Sequence, residues 1–194
     1  MYKTLQKHIN RYVSLSEEEF QLCLKFFRYR RFRKRQYILQ EGQLQQSSIF
    51  ILNGLVRMYE LDDRGGEHIF QFAHENEWVL PVETSDVEVP VSFNMDCVED
   101  TEVLILTHSA KADLLNSLPV MCRYFYQQLQ ESCTSLIKRV SSHLSKPTAE
   151  RYYEFVEQHR RLEQRVPNHF IASYLGVTPQ SLSRIRSQNR LMIR

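Results

Sequence analysis

The stretch from Asn168 to Gln188, NHFIASYLGVTPQSLSRIRSQ, constrains this chain more than any other. Phe170, Ile171, Ala172 and Leu175 fall at the three-to-four-residue spacing of one apolar helix face. Gly176 follows at the point where a helix end needs a left-handed residue, which glycine adopts without Cβ strain. Val177 fills the corner. Thr178 can cap a second helix by accepting a backbone N–H, and Pro179 suits its first position, where no donor is needed. Two short helices joined by a tight turn are expected. In the second, Leu182 and Ile185 are the buried pair, and Pro179, Gln180, Ser181, Ser183, Arg184 and Arg186 point elsewhere. Short polar residues at a helix start, with an arginine one turn on, describe a helix suited to a major groove. Gln and Arg have the two-pronged geometry that reads adenine and guanine edges. Ser, Thr and a helix N-terminus suit phosphate oxygens. The plainer alternative is an ordinary surface helix pair. The agreement of turn glycine, cap, proline and basic outer face argues against it.

The charge distribution supports a polyanion partner. The net charge of the 194 residues is only +2, but it is unevenly placed. Residues 1–40 carry 10 basic and 3 acidic side chains, residues 41–119 carry 3 and 15, and residues 120–194 carry 12 and 5. No acidic residue occurs after Glu163. A basic C-terminal block beside an acidic body fits a polyanion engaged by one end of the molecule. The run RYRRFRKR, Arg28–Arg35, holds six basic residues in eight. It reads either as a nucleic-acid patch or as a solvated edge strand with alternating aromatics, and the second reading is the better one.

Upstream of the C-terminal block the period changes twice. Ser16 and Glu19 have capping-box spacing, and Leu15 can staple to Phe20, so a helix is expected to about Phe27. From Gln36 the pattern has period two. Strands are expected over 37–40, 48–52, 55–61, 67–73, 91–98 and 102–107, with Asn53-Gly54 as a hairpin turn. Seven or eight short antiparallel strands imply a sandwich or jelly roll. His108 to Ser117 reads as a short helix, and Pro119 opens a long one to about Leu144. Its apolar residues include Met121, Phe125, Leu129, Cys133, Leu136, Ile137, Val140 and Leu144, a stripe wide enough to pack on the roll and on a second chain. Another helix is expected from Thr148 to about Leu162. The fold class is therefore α+β: an N-terminal antiparallel β-roll, a long dimerisation helix and a C-terminal helical domain. The boundaries fall at 1–118, 119–145 and 146–194.

Cys23, Cys97, Cys122 and Cys133 form no CxxC pair, so they are read as small buried hydrophobes of a reducing cytosol rather than metal ligands. His68, His74 and His108 are read as surface or hydrogen-bonded residues rather than haem or metal ligands. No metal and no cofactor is expected. MYKTLQKHINRY lacks the apolar segment of a signal peptide, and no 18-residue apolar run exists, so the expectation is cytoplasmic and soluble. A cupin-type enzyme needs His and Glu clustered on two strands. Glu67-His68 and His74-Glu75 are adjacent pairs on opposite strand faces, so no enzyme is expected.

The order of elements, with the stretches FILNGLVR (50–57), VEDTEV (98–103) and Ile171–Arg186, resembles the Crp/Fnr superfamily of bacterial transcription regulators over essentially the full length. The resemblance implies a homodimer joined through the long helix at Phe125, Leu129, Cys133, Leu136 and Val140. It also implies a near-palindromic double-stranded DNA target, RNA polymerase as a further partner, and no membrane. It implies DNA contacts at Thr178, Pro179, Gln180, Ser181, Ser183, Arg184 and Arg186. Arg184 stands where the family has a base-contacting Arg, and Pro179 where some members have an Arg. At the sensor end, the family's ribose-binding Gly-Glu falls on Leu80-Pro81, and its phosphate-binding Arg-Ser on Val91-Ser92. Its base-contacting positions fall on Leu136 and Ile137. Only Ser92 is kept. An anion beside Val91 would lack its counter-charge, so weak binding of cyclic AMP and cyclic GMP is expected, with a different small-molecule effector or none. The iron–sulfur sensors' N-terminal cysteine cluster is absent. Only NRLMIR follows the second helix, where many members carry a small β wing. The alternative function is a ligand-binding β-roll that regulates a protein partner through the same helix pair.

Overall fold

A computed structural model describes residues 2–80 and 89–192, and their side chains except at 160, 161 and 188–192. The chain forms two compact units. One comprises Met1–Met58 and Phe72–Cys133, the other Tyr59–Gln71 and Thr134–Arg194.

In the first unit, α1 (Lys3–Ile9) and α2 (Glu17–Leu24) precede the strands. The capping box is present: Ser16 Oγ accepts from Glu19 N–H at 3.2 Å, and Glu19 accepts from Ser16 N–H at 2.8 Å. The strands are β1 (Arg28–Phe32), β2 (Tyr37–Leu39), β3 (Ser47–Asn53), β4 (Leu55–Leu61), β5 (Glu67–His74), β6 (Trp78–Val79), β7 (Asn94–Cys97) and β8 (Thr101–Thr107). They form two four-stranded sheets, ordered β1-β8-β3-β6 and β2-β7-β4-β5. The first five residues of the basic run form an edge strand, as its composition suggested: among the described residues β1 pairs only with β8, and Arg28 to Arg31 are exposed. Charged side chains on an edge discourage strand addition.

β3 is apolar on both faces because both are covered. Phe50, with Leu104 and Leu106 of β8, packs against Leu5 and Ile9 of α1, Phe20 and Cys23 of α2, and Leu114, Met121, Tyr124 and Phe125 further on. Ile49, Ile51 and Val103 are buried too. Gly54 closes the β3–β4 hairpin at φ +104, where a Cβ would lie 2.5 Å from Thr101 Oγ1. Two polar groups sit within this unit. Arg57 on β4 makes a bidentate pair with Asp96 on β7, both contacts 2.8 Å, and both residues are buried. The Tyr124 hydroxyl accepts from Trp78 Nε1 at 2.7 Å and lies 2.8 Å from His8 Nδ1. The phenol oxygen has one proton and a second lone pair, so it completes the contact with either tautomer of a neutral imidazole. Burial, with Arg11 nearby, lowers the His8 pKa to about 4.

After α3 (His108–Ser117), capped by Thr107, the chain enters the 26-residue α4 (Val120–Ser145). Phe125, expected on the dimer stripe, is 6% exposed and packs on Trp78 and Tyr124. The neighbouring Tyr126, 58% exposed, continues the outward row instead. That row runs Tyr126, Leu129, Cys133, Leu136 and Val140 at alternating spacings of three and four. The cysteines also divide. Cys23 and Cys97 are buried, with thiol pKa values raised by burial to about 12 and about 11, whereas Cys122 and Cys133 are exposed on α4.

In the second unit the helix expected over 148–162 is broken at His159, whose φ of −128 and ψ of +44 are not helical. Two helices result, α5 (Thr148–Gln158) and α6 (Arg160–Arg165). α7 (Asn168–Tyr174) and α8 (Pro179–Met192) follow. The free edge of β5 is met by α7: Ser173 Oγ accepts from Ile69 N–H at 2.9 Å and donates to the Glu67 carbonyl at 2.5 Å. Its hydroxyl stands in for a missing strand partner.

Candidate nucleic-acid interface

The turn between α7 and α8 forms as its residues require. Gly176 adopts φ +68, and its N–H reaches the Ser173 carbonyl at 2.9 Å while Val177 N–H reaches Ala172 at 2.9 Å. These bonds satisfy the last carbonyls of α7. Thr178 Oγ1 accepts from Ser181 N–H at 3.2 Å, and Pro179 is the first residue of α8. Ile171, Ala172, Leu175 and Leu182 are at most 2% exposed and make the corner's core.

α8 then shows one face and hides another. Gln180, Ser183, Arg184 and Ser187 are exposed at spacings of three, one and three, which places them along one side of the helix. Thr178 and Pro179 extend that exposed surface to the helix start. Ser181 is half-buried, its hydroxyl 3.0 Å from that of the Thr178 cap. Among the described residues, no acidic side chain lies on α8, and its positive N-terminal end is open. Gln180 and Arg184 are one turn apart; Gln180 carries a donor–acceptor pair and Arg184 a pair of donors that match base edges.

Arg186 does not join this face. Its Nε donates to the Tyr152 hydroxyl at 2.9 Å, one terminal nitrogen donates to Glu163 Oε1 at 3.1 Å, and the other to Asn168 Oδ1. Its guanidinium also lies 5.5 Å from the Tyr152 ring centroid. Expected to point away from the core, Arg186 instead lies one turn past the buried Leu182 and turns its guanidinium to these three partners. The i, i+3, i+4 relation of Leu182, Ile185 and Arg186 carried that signal in the sequence.

The residues assigned to an effector pocket divide between the two units. Leu80 and Val91 are half-buried and Ser92 is exposed in the first unit. Leu136 and Ile137 are exposed on the part of α4 that belongs to the second. Pro81 lies outside the described residues. Val91 binds through its backbone alone, with N–H to the Gln43 carbonyl and carbonyl to Gly42 N–H, both 2.9 Å. Among the described residues no three His, Cys, Asp or Glu side chains cluster as a metal site, and no helix is long and apolar enough to cross a membrane.

Residues 29–117 match the cyclic nucleotide-binding domain family. No curated protein matches the chain. Among solved structures, FixK2 from Bradyrhizobium japonicum is similar at TM-score 0.74 and 19% identity, covering 86% of this chain and 85% of that one. A CooA double mutant from Carboxydothermus hydrogenoformans is similar at 0.70 and 17%, covering 94% and 87%. A Eubacterium rectale protein described as a transcriptional regulator of the Crp/Fnr family is similar at 0.69 and 14%, covering 92% and 85%.

Proposed function

We propose that this chain, with a cyclic nucleotide-binding-type domain at 29–117 and the fold of the Crp/Fnr transcription regulators, is itself a sequence-specific DNA-binding regulator. The observation that carries the reading is the polar side of α8, where Gln180, Ser183 and Arg184 are exposed beside the helix N-terminus. Thr178, Pro179 and Ser181 frame the start of that helix and approach the backbone phosphates. The reading also takes the protein as a homodimer. Leu129, Cys133, Leu136 and Val140 form an exposed apolar row at coiled-coil spacing along α4, and a two-fold partner would cover it. Two copies of α8 would then face successive turns of one DNA face, and the operator would be near-palindromic. RNA polymerase is a further partner of such a regulator.

Cyclic AMP is not its effector on this reading. A half-buried Val91 offers a cyclic phosphate no counter-charge, and Leu136 and Ile137 offer a purine no hydrogen bond. Selection of bound duplexes from random DNA at near-physiological salt tests the proposal. The expected product is a two-fold symmetric site whose affinity falls steeply with salt, as phosphate contacts release counterions. Absence of any enriched symmetric site, with or without cyclic AMP or a small-molecule extract, would sink the DNA reading and favour regulation through a protein partner.

A further inference from the structure

We infer that Arg186 is a positioning residue that sets the rotation of α8 about its own axis, and so decides which side chains reach the DNA. The inference rests on the DNA-binding reading above. Among the described residues, the apolar anchors of α8 are Leu182, buried, and Ile185, half-buried. Two neighbouring apolar contacts hold a helix down but are non-directional and leave its rotation weakly fixed. Arg186 lies next to both on the same side and adds three directed bonds to three different helices: Tyr152 on α5, Glu163 on α6 and Asn168 at the start of α7.

The network has one consistent proton arrangement. Arginine only donates, so the Tyr152 oxygen receives Arg186 Nε and must send its own proton to Glu163 Oε1, 2.6 Å away. Glu163 Oε1 thereby accepts from both the guanidinium and the phenol. Burial, followed by the bond to Glu163, holds the Tyr152 pKa above its ordinary value, so the phenol stays protonated. A planar guanidinium with fixed prongs fits this triangle, and an ammonium does not. Glu163 is also the last acidic residue in the chain, and its charge is held by this contact.

The test uses the full-length chain and the operator recovered by selection, alongside a scrambled duplex. Arg186→Lys, Arg186→Gln, Glu163→Gln and the double variant Arg186→Gln/Glu163→Gln are titrated on both duplexes across a salt series, and amide exchange of α8 is followed without DNA. Loss of the clamp is expected to lower the operator-to-scrambled affinity ratio by roughly tenfold, the scale of a directed charge-assisted contact. Arg186→Lys should not rescue it, and the double variant should be no worse than either single one. The salt slope should stay unchanged. A merely structural role lowers the folded fraction and weakens both duplexes equally, leaving that ratio intact, which would overturn the inference. A salt slope reduced by about one in Arg186→Gln would overturn it too, by making Arg186 a phosphate contact. So would Glu163→Gln binding both duplexes more tightly, since it frees the guanidinium. If the unaltered protein selects no operator, the DNA-binding reading fails by itself. The clamp is then judged on exchange alone: faster exchange along α8 in Glu163→Gln and Arg186→Lys supports it, and unchanged exchange refutes it.

Discussion

Arg57 in the β-roll and Arg184 on α8 are the same side chain in opposite settings. Arg57 is buried, and both its prongs are taken by Asp96. Arg184 is exposed, and among the described residues no ion pair reaches its guanidinium. The contrast extends to their surroundings. In the first unit these polar groups are matched internally: Trp78 donates to Tyr124, whose hydroxyl contacts His8, and Asp100 receives Lys34 N–H at 2.9 Å. Along the outer side of α8, Gln180, Ser183 and Arg184 are left open. A matched buried pair is weak evidence for function and strong evidence of a cost on disruption. An unmatched set of donors on a fixed helix is the reverse.

The comparison breaks most easily at Asp96. Asp96→Ala removes the buried carboxylate that both Arg57 prongs engage, which should cost about 3–5 kcal/mol in denaturant unfolding. Replacing both members with apolar residues of similar size, Arg57→Met with Asp96→Leu, should recover most of that loss. A fully stable Asp96→Ala would show that the pair is not buried as described. The next largest effect is at Gly54. An alanine there meets Thr101 Oγ1 at 2.5 Å and the Asp100 carbonyl at 2.7 Å while held at φ +104. Strain and overlap together should cost roughly 3 kcal/mol, read as a lowered melting temperature.

His8 sharpens the same side of the contrast through pH. Its folded pKa of about 4 lies below the 6.5 of the free side chain, so the unfolded chain binds more protons between those values. Stability is therefore complete above pH 6.5 and declines as pH falls toward 4, by on the order of 2–3 kcal/mol. The depressed carboxylates Asp62, Asp100 and Glu154 act in the same direction at still lower pH. His8→Gln should flatten the 6.5-to-4 segment of the stability profile. A profile that keeps its slope there would place the titration elsewhere.

How far these two settings are legible in sequence differs for a physical reason. The turn of α7 and α8 is local. Gly176, Thr178 and Pro179 are each required by the backbone within a few residues, and the structure forms the turn they specify. Hairpins, capping box and edge strand are local in the same sense. Arg57 and Asp96 are 39 residues apart, and no short spacing announces their pairing. Phe125 illustrates the limit on a single helix: the stripe of α4 is apolar on two sides, and only the packing of Trp78 and Tyr124 decides which side takes it. Arg186 is the intermediate case. Its helical position beside Leu182 was readable, but its partners Tyr152 and Glu163 come from helices 34 and 23 residues away.

On the open side, Arg184→Ala should cost about 1–3 kcal/mol on the best operator and relax specificity at one base position. It should leave thermal stability unchanged, unlike every change proposed for the first unit. Equal weakening on all duplexes would reduce Arg184 to a phosphate contact, and the distinction between the two arginines would then rest on burial alone.

The smallest effect is expected at Gly176, and it separates the turn from the surface it presents. Gly176 shares the left-handed backbone of Gly54, but a Cβ there meets nothing within 4 Å. Only the backbone term remains, so Gly176→Ala should cost about 1 kcal/mol in unfolding of the C-terminal helices. Asparagine visits that conformation more readily than other residues with a side chain, so Gly176→Asn should restore most of the loss. Neither variant removes a donor from α8, so operator specificity should hold in both. A specificity change in Gly176→Ala without a change in melting would mean that the corner angle, rather than the exposed side chains, selects the DNA.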